Sequence, residues 1–544
     1  MKNLPLGIQN LPEIIKGDYV YVDKTELFPE LIKVKQLFLS RPRRFGKSLL
    51  LDSLEQLFRG NADVFSGLKI ADSGYEFKKY PVIRLSMTLN SRNTEILETR
   101  IIKKLDNIAE SYNVKLRDDD PGEALQLLIK DLSDKYGERV VALIDEYDDP
   151  VSKYIDNIPL AKANTDILSS FYVGFKEVDE YLRFVMVTGV TRYAMMGLSA
   201  GLNQLVDISF SPKFAAICGF TAAELDQFFG DRYDSTLEAL KSIGRMPVES
   251  SVFDLRQKIL DWYDGYTWDG RTRVLNPISI LKFFNELYFK EYWNTSSPSI
   301  NYLKNTVASN PVSIAGNNFQ GYTERDLSLI TVGELALAPF LFHTGYLTID
   351  KIIEVDGKDQ YSFKVPNFEL KGSIYDFLLP SLSSFLTENI NDETQKLNKS
   401  LQEQDGPNLT RIINAVFSRI PAVHYGKQLI NEYFFHDILL GYFSGLVAEV
   451  RAEERGPLGD ADLIVVTSEG LHVVIEIKYS ASADPDKLEE TLDKLANQGL
   501  KVIKEKKYGE TYRQAGKNFT FIGLGVVGWG QAKAVFGAAT EPTA

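Results

Sequence analysis

From Met1 to about Pro212, short apolar runs alternate with longer segments whose apolar residues recur every three to four positions. The runs are QLFLS (Gln36 to Ser40), PVIRLSM (Pro81 to Met87), VVALID (Val140 to Asp145) and RFVMVTG (Arg183 to Gly189). Two are nearly all apolar, as strands covered on both faces require, so the pattern predicts an α/β domain with a doubly wound, mainly parallel sheet. After Cys218-Gly219-Phe220 the period changes. Thr221 followed three residues later by Glu224 opens a helix with a capping box, and a mostly helical, aromatic-rich region runs through Trp262 to Gly270 and Leu275 to Phe289. A helix around Leu335 to Tyr346 then meets YLTIDKIIEVDGKDQYSFKV, where Asp356-Gly357 signals a hairpin turn. Helices followed by a hairpin predict a winged-helix-like lid. The polar stretch Asn389 to Asn408 reads as a charged helix, a loop and a boundary. Beyond it come the helix QLINEYFFHDILLGYF, strands near LVAEVRAE, ADLIVV and HVVIEIKY, a long helix near Pro485 to Lys507, and the strand FTFIGLGVV.

A chain of 544 residues exceeds one hydrophobic core, which implies about three or four domains. Hydrophobic residues at 44% and charged residues at 25% exclude disordered, collagenous and coiled-coil classes. One cysteine, Cys218, and four histidines leave no internal disulfide and no zinc-spaced cluster. Pro5, Pro12, Glu13 and Lys16 interrupt what a signal peptide would need as an apolar stretch, and FIGLGVVGWG is too short to span a bilayer. The expectation is a cytoplasmic protein with no membrane partner. A net charge of −13 argues against a surface that coats nucleic acid generally, so any such contact must be local.

Candidate chemistry sits first in QLFLSRPRRFGKSLLLDSLEQLF, a strand, loop and helix in the order of a phosphate-binding loop. The backbone N–H groups from Gly46 to Leu49 can cradle phosphate oxygens, Lys47 can reach the β- and γ-phosphates, and Ser48 can ligate Mg²⁺. Arg41 stands where the usual motif has its first glycine, and its Cβ narrows the allowed loop conformations. VVALIDEYDD supplies the acidic partner: Asp145 for the Mg²⁺ shell and Glu146 to polarise the attacking water. Thr188, Thr191 and Arg192 end a further strand and are placed to sense the γ-phosphate. Gly46-Lys47-Ser48 alone also fits an ordinary strand-to-helix turn, and Asp145-Glu146 alone a solvated strand end; their combination points to nucleotide binding.

The pieces LPLGIQN, YVYVDKTEL, FLSRPRRFGKSLL, LIDEYDDP, VTGVTRY, GFTAAEL, WYDGYTW, NPISIL, TGYLTI and VPNFEL run in order over nearly the whole chain. They resemble the AAA-ATPase-like domain of bacterial proteins that carry a PD-(D/E)XK nuclease-like domain at the C-terminus. The resemblance implies a P-loop ATPase related to STAND-type ATPases rather than a ring unfoldase, with ATP and Mg²⁺ as cofactors. Arg41 and the basic Arg43 and Arg44 look typical of that family, and the last two join the nucleotide-binding set. Tyr21 to Thr25 matches a further motif of the family; from its residues it is a strand end with a helix cap, expected near the nucleotide.

In LGDADLIVVTSEGLHVVIEIKYS, two strands are joined by the turn Thr467 to Gly470. Glu476 and Lys478 are two apart and leave one sheet face, while Val473, Ile475 and Ile477 occupy the other. Buried charges need partners. Asp462 is the obvious one: with Glu476 and a backbone carbonyl near Ile477 it could hold Mg²⁺, while Lys478 orients or activates water for phosphodiester attack. The order helix, three strands, helix, strand resembles the PD-(D/E)XK core, an αβββαβ restriction-endonuclease-like fold, and the likeness adds Glu432 as a helix acid near the metal. Asp460 competes with Asp462 for the ligand role, the family pattern favouring Asp462. Many relatives carry a glutamine where this chain has Val502, and Gln498 is the nearest substitute. An E-x-K pair on a sheet edge is also a plain buried ion pair.

His436-Asp437 lacks further histidines and reads as a helix residue packing on the sheet. Cys218 reads as a small core residue. Trp262, Tyr263, Tyr266 and Trp268 read as core rather than as base-stacking groups. The expected domains are 1–215 (P-loop), 216–388 (helical, winged-helix-like), 389–420 (helical linker) and 421–544 (nuclease-like). The functional expectation is an ATPase fused to a Mg²⁺-dependent nuclease acting on DNA, with RNA and homo-oligomerisation left open. Its rival is an ATP-controlled switch whose nuclease-like domain is a silent binding module.

Overall fold

The structure is a computed structural model that describes residues 1–89, 93–192, 205–293, 319–328, 336–370, 390–420, 430–444, 446–447, 449–456, 459–509, 512–513 and 517–537, the side chains of 390 and 452–460 excepted. The chain forms two compact units, Met1–Tyr302 with Phe319–Ser373, and Leu303–Asn318 with Ile374–Ala544. The first expected domain and the greater part of the second, 303–318 and 374–388 excepted, fall within the first unit.

The first unit is built on a parallel sheet in the order β2-β3-β4-β1-β5, with β1 Gln36–Ser40, β2 Val82–Ser86, β3 Val140–Asp145, β4 Leu182–Gly189 and β5 Val206–Asp207. β1 and β3 are buried along their full lengths, as their unbroken apolar sequences demand. Helices Thr94–Ser111, Pro121–Tyr136 and Ile158–Glu177 cover one face through Leu97, Leu128 and Phe171. The chain leaves β1 for the far edge, returns through β3 and β4, and then places β5 on the other side. The C-terminal end of β1 is thus a switch point, where sheets of this kind open a crevice.

Helices Ala222–Phe229, Tyr233–Ser242, Val252–Tyr263 and Pro277–Glu286 pack around Phe229, Ile259 and Phe283, and this cluster takes in Val20 and Val22 from the N-terminal segment. The capping box of Thr221 and Glu224 is present. Helix Leu337–Thr344 leads to the hairpin of β7 (Thr348–Val355) and β8 (Lys358–Lys364), to which β6 (Phe319–Thr323) adds a third strand. Asp356 and Gly357 turn the hairpin at φ +51° and +73°, the left-handed pair such a turn needs.

The second unit carries helix Glu432–Ser444, β9 Glu449–Gly456, β10 Gly459–Val466, β11 His472–Ser480, helix Leu488–Glu505, β12 Phe519–Val527 and β13 Gln531–Gly537, in the sheet order β13-β12-β11-β10-β9. Among the described residues of this sheet, β11 and β12 pair in parallel and the other neighbours pair antiparallel. The helix Leu488–Glu505 lies directly on β12: a Cβ at Gly523 would come within 1.9 Å of Ala496 O, and one at Gly525 within 2.4 Å of Leu492 O. β13 adds a strand to the expected αβββαβ core. Residues 390–420, expected as a linker, are instead packed into this unit. Asn414 exchanges two 2.9 Å hydrogen bonds with the Ala532 backbone, Ala534 N donates to Thr410 Oγ1, and Leu397 and Leu401 are buried. Asp392, Lys396 and Lys399 lie on the exposed side of the amphipathic helix Ile390–Gln402, while Glu393 turns in to pair with Arg419.

Candidate functional site

At the end of β1 the chain turns through Arg41–Gly46 into helix Lys47–Phe58. Arg44 and Gly46 carry the turn at φ +70° and +97°, the second a conformation that glycine adopts without strain. Arg41 stands outside that region, so its Cβ costs the loop nothing. Its amide donates to Gly189 O at 3.1 Å, and its fully buried guanidinium donates to Ser40 O and Ser209 O, both at 2.8 Å, under the Trp268 ring at 4.0 Å. Burial pushes this guanidinium down to about 10. Phe45 meets Tyr266 and Trp268 edge-on, so the aromatic cluster of the middle region is core, as expected, and clamps the loop.

Lys47 is buried and donates to Arg41 O at 2.8 Å and Pro42 O at 3.0 Å. Burial holds its ammonium below the usual lysine range, against the pull of Asp145 and Glu146. β4 stands between β1 and β3, so the acidic pair reaches the loop across one strand rather than as its direct neighbour. Thr188, on that intervening strand, donates to Asp145 Oδ1 at 2.7 Å. Arg84 links Asp145 Oδ2 at 3.2 Å to Ser48 O at 3.3 Å. Glu146 has φ +52°, accepts from the Thr88 hydroxyl and faces the loop cavity. Of the other expected sensors, Thr191 is bound to Asp148 and Arg192 is paired with Asp207 at 2.6 Å, so neither joins the acidic pair.

A cavity of about 370 Å³ opens beside the loop. Arg43, Arg44, Gly46, Lys47, Ser48 and Leu49 form one wall; Ile8, Gln9, Tyr21, Val22 and Lys24 line another, and Phe220, Ile278 and Leu281 a third. The Tyr21-to-Thr25 motif thus divides its work. Tyr21, Val22 and Lys24 face the cavity, while Asp23 caps Thr25 and the Lys69 amide. Cys218 is buried and also lines the cavity. Arg43 reaches Asp149 at 3.4 Å, and burial raises the Asp149 carboxyl to about 6. Arg44 donates to Tyr292 O at 2.9 Å.

In the second unit, β10 and β11 pair as far as Leu463 and Ile475 and then part. There the Asp462 carboxylate accepts the Ile477 amide at 2.7 Å. Lys478 Nζ lies 3.0 Å from Glu476 Oε1, 3.0 Å from Glu432 Oε1 and 2.8 Å from Ile477 O. Glu476 is buried with Oε2 unpartnered; burial first, and Asp462 second, raise its carboxyl to about 7. Among the described residues no three His, Cys, Asp or Glu side chains gather to hold a metal ion. Of the expected set of Asp462, Glu476 and Glu432, Asp462 turns an oxygen to a backbone amide and the lysine ammonium stands between the two glutamates. The unpartnered Glu476 Oε2 beside Asp462 nevertheless suits a hard cation. The Asp460 side chain lies outside the described residues. Gln498 is exposed, and Val502 packs against the apolar cluster of Ile464 and Val474.

Sequence reasoning missed three contributors. Arg84 announced itself as a charge inside the apolar run PVIRLSM. His436, set aside as packing, is buried with Nε2 on Asp462 O at 2.9 Å and Nδ1 on Asp437 at 2.8 Å, and so fixes the backbone that carries Asp462. Glu369, in VPNFEL, is fully buried; it accepts from Ser279 Oγ at 2.9 Å, Tyr292 N at 2.7 Å and Trp293 N at 2.8 Å, beside the carbonyl that Arg44 holds.

Residues 5–199 match the model of a predicted AAA-ATPase family, AAA-ATPase-like, and residues 430–534 match the PD-(D/E)XK nuclease superfamily. The chain is 31% identical over 531 residues to an uncharacterized protein in the vnfD 5′ region of Azotobacter chroococcum mcd 1, with 96% of each chain covered. Two family matches on the two sites just described, and a relative alike from end to end, establish that the chain belongs to the family of AAA-ATPase-like proteins with a C-terminal PD-(D/E)XK nuclease superfamily domain.

Proposed function

We propose that the protein binds and hydrolyses ATP at the end of β1 and uses its C-terminal domain as a Mg²⁺-dependent nuclease on nucleic acid, DNA foremost. The observation that carries the reading is the linkage of the loop to its acids: Arg84 joins Ser48 to Asp145, and Thr188 braces Asp145 from the strand between. In this reading the N–H groups from Gly46 to Leu49 receive phosphate oxygens, with Arg43 and Arg44 beside them. Lys47 turns from two loop carbonyls to the β- and γ-phosphates. Ser48 and Asp145 would hold Mg²⁺, which would supply charge neutralisation at the phosphates, and Glu146 would orient water. In the second unit Asp462 and Glu476 would hold Mg²⁺, and Lys478 would orient water at the phosphodiester. Glu432 keeps the lysine in place.

The ion-paired Lys478 favours a second reading, in which ATP controls assembly and the nuclease-like domain binds without cutting. Calorimetric ATP titration tests the first site. Lys47→Ala should abolish binding and Glu146→Gln should keep it while slowing hydrolysis at least tenfold. Undiminished affinity in the Lys47 variant would remove the phosphate-loop assignment.

A further inference from the structure

β12 runs parallel to β11, with Lys478 opposite Gly525 and Ser480 opposite Val527, and Gly528 N donates to Ser480 O at 2.9 Å. The turn that follows therefore leaves the sheet at the end that carries Glu476 and Lys478, within about 13 Å of the lysine's level at the rise of a strand. Its tip is Trp529, 63% exposed. Gly528 and Gly530 flank it at φ +59° and +107°, and a Cβ on Gly530 would stand 3.0 Å from Phe417. The glycines and the Asn414–Ala532 bonds hold the turn. Tyr433, 60% exposed, follows Glu432, so a second aromatic accompanies the acid that holds Lys478. Beside the tip lies a groove of about 780 Å³ lined by Phe417, Ser482 and Trp529.

We propose that Trp529 is a stacking platform for an unpaired base of the nucleic-acid strand engaged at Glu476 and Lys478; the inference rests on the nuclease reading above. The acids around Lys478 offset its attraction for phosphates, and a contact that does not depend on charge adds affinity at this end. Stacking on an aromatic ring is such a contact and tolerates any base. A duplex hides its base faces. The substrate class is therefore single-stranded nucleic acid, or a strand end that has come apart, rather than continuous duplex.

Fluorescence anisotropy of labelled single-stranded and blunt duplex DNA of one sequence, with Ca²⁺ in place of Mg²⁺, tests this on the full-length protein. Trp529→Ala should weaken single-strand binding about tenfold or more, and Trp529→Phe should retain most of it, with duplex binding unmoved. Equal single-strand affinity in wild type and Trp529→Ala, or an equal loss on both DNAs, overturns the platform while leaving the nuclease reading intact. Wild-type protein that binds neither DNA sinks the nuclease reading itself, and the platform with it.

Discussion

Glu369 offers a test of how the nucleotide loop is supported from outside. One of its oxygens takes the amides of Tyr292 and Trp293, both oxygens lie 2.9 Å from the Ser279 hydroxyl, and Arg44 of the loop holds the Tyr292 carbonyl. Glu369→Ala strands two buried amides at about 1–3 kcal/mol each, so the first unit should lose about 2–6 kcal/mol. Glu369→Gln keeps the accepting oxygen and turns its amide to the Ser279 oxygen, which should cost under about 1 kcal/mol at acid pH. The pH profile separates charge from shape. Burial raises the Glu369 carboxyl from 4.5 to about 7 despite its three donors. The folded unit then holds a proton that the unfolded chain has released. Stability from this group is complete below pH 4.5 and falls as pH rises through 7, by about 3 kcal/mol in all. Glu369→Gln lacks that fall, so the wild-type advantage should shrink by about 3 kcal/mol between pH 4 and pH 8. Urea unfolding followed by tryptophan emission, in a Trp529→Phe background, reports the first unit alone. Other groups with raised pKa values, Glu476 and Asp149 among them, cancel in the difference. Parallel stability curves for the two proteins would refute the buried-proton argument.

Two further outcomes are expected in the second unit. Asp462→Ala or Glu476→Ala should weaken calorimetric Mn²⁺ binding at least tenfold, while Lys478→Ala, which clears the ammonium from between Glu476 and Glu432, should leave or improve metal binding and suppress cleavage. Gly499→Ala should lower that unit's melting temperature by an amount corresponding to about 1–3 kcal/mol, because the added Cβ would stand 2.8 Å from Glu476 O and 3.2 Å from Gly523 Cα.

What could be read from the residues was what short spacing encodes. An apolar run ending in Asp145-Glu146, a Gly-Lys-Ser at a strand end, the Thr221–Glu224 cap and the Asp356-Gly357 turn each carry their reason within a few positions. The order of the strands does not. That β4 divides β1 from β3 follows from the packing of the whole sheet. The supports of both sites are equally remote in sequence: Arg84 lies 61 residues from Asp145, Glu369 lies 90 from Ser279, and His436 lies 26 from the carbonyl it holds. β13 escaped notice because Gln531–Gly537 alternates small and polar residues with few large apolar ones, its partner being the backbone of β12.

Arg41 changes how this protein can be taken apart. A loop whose entrance is glycine carries its shape in its own backbone and keeps it in isolation. Here the entrance is held by a side chain threaded out of the loop, and the ring above it arrives more than two hundred residues later. A fragment cut near residue 215 would contain every group named in the phosphate site and would still leave a desolvated guanidinium with no roof. Failure of such a fragment to bind nucleotide would report the missing roof and the missing third wall of the cavity, Phe220, Ile278 and Leu281, rather than an absent phosphate loop, and searches keyed to a glycine at this position would pass the protein by.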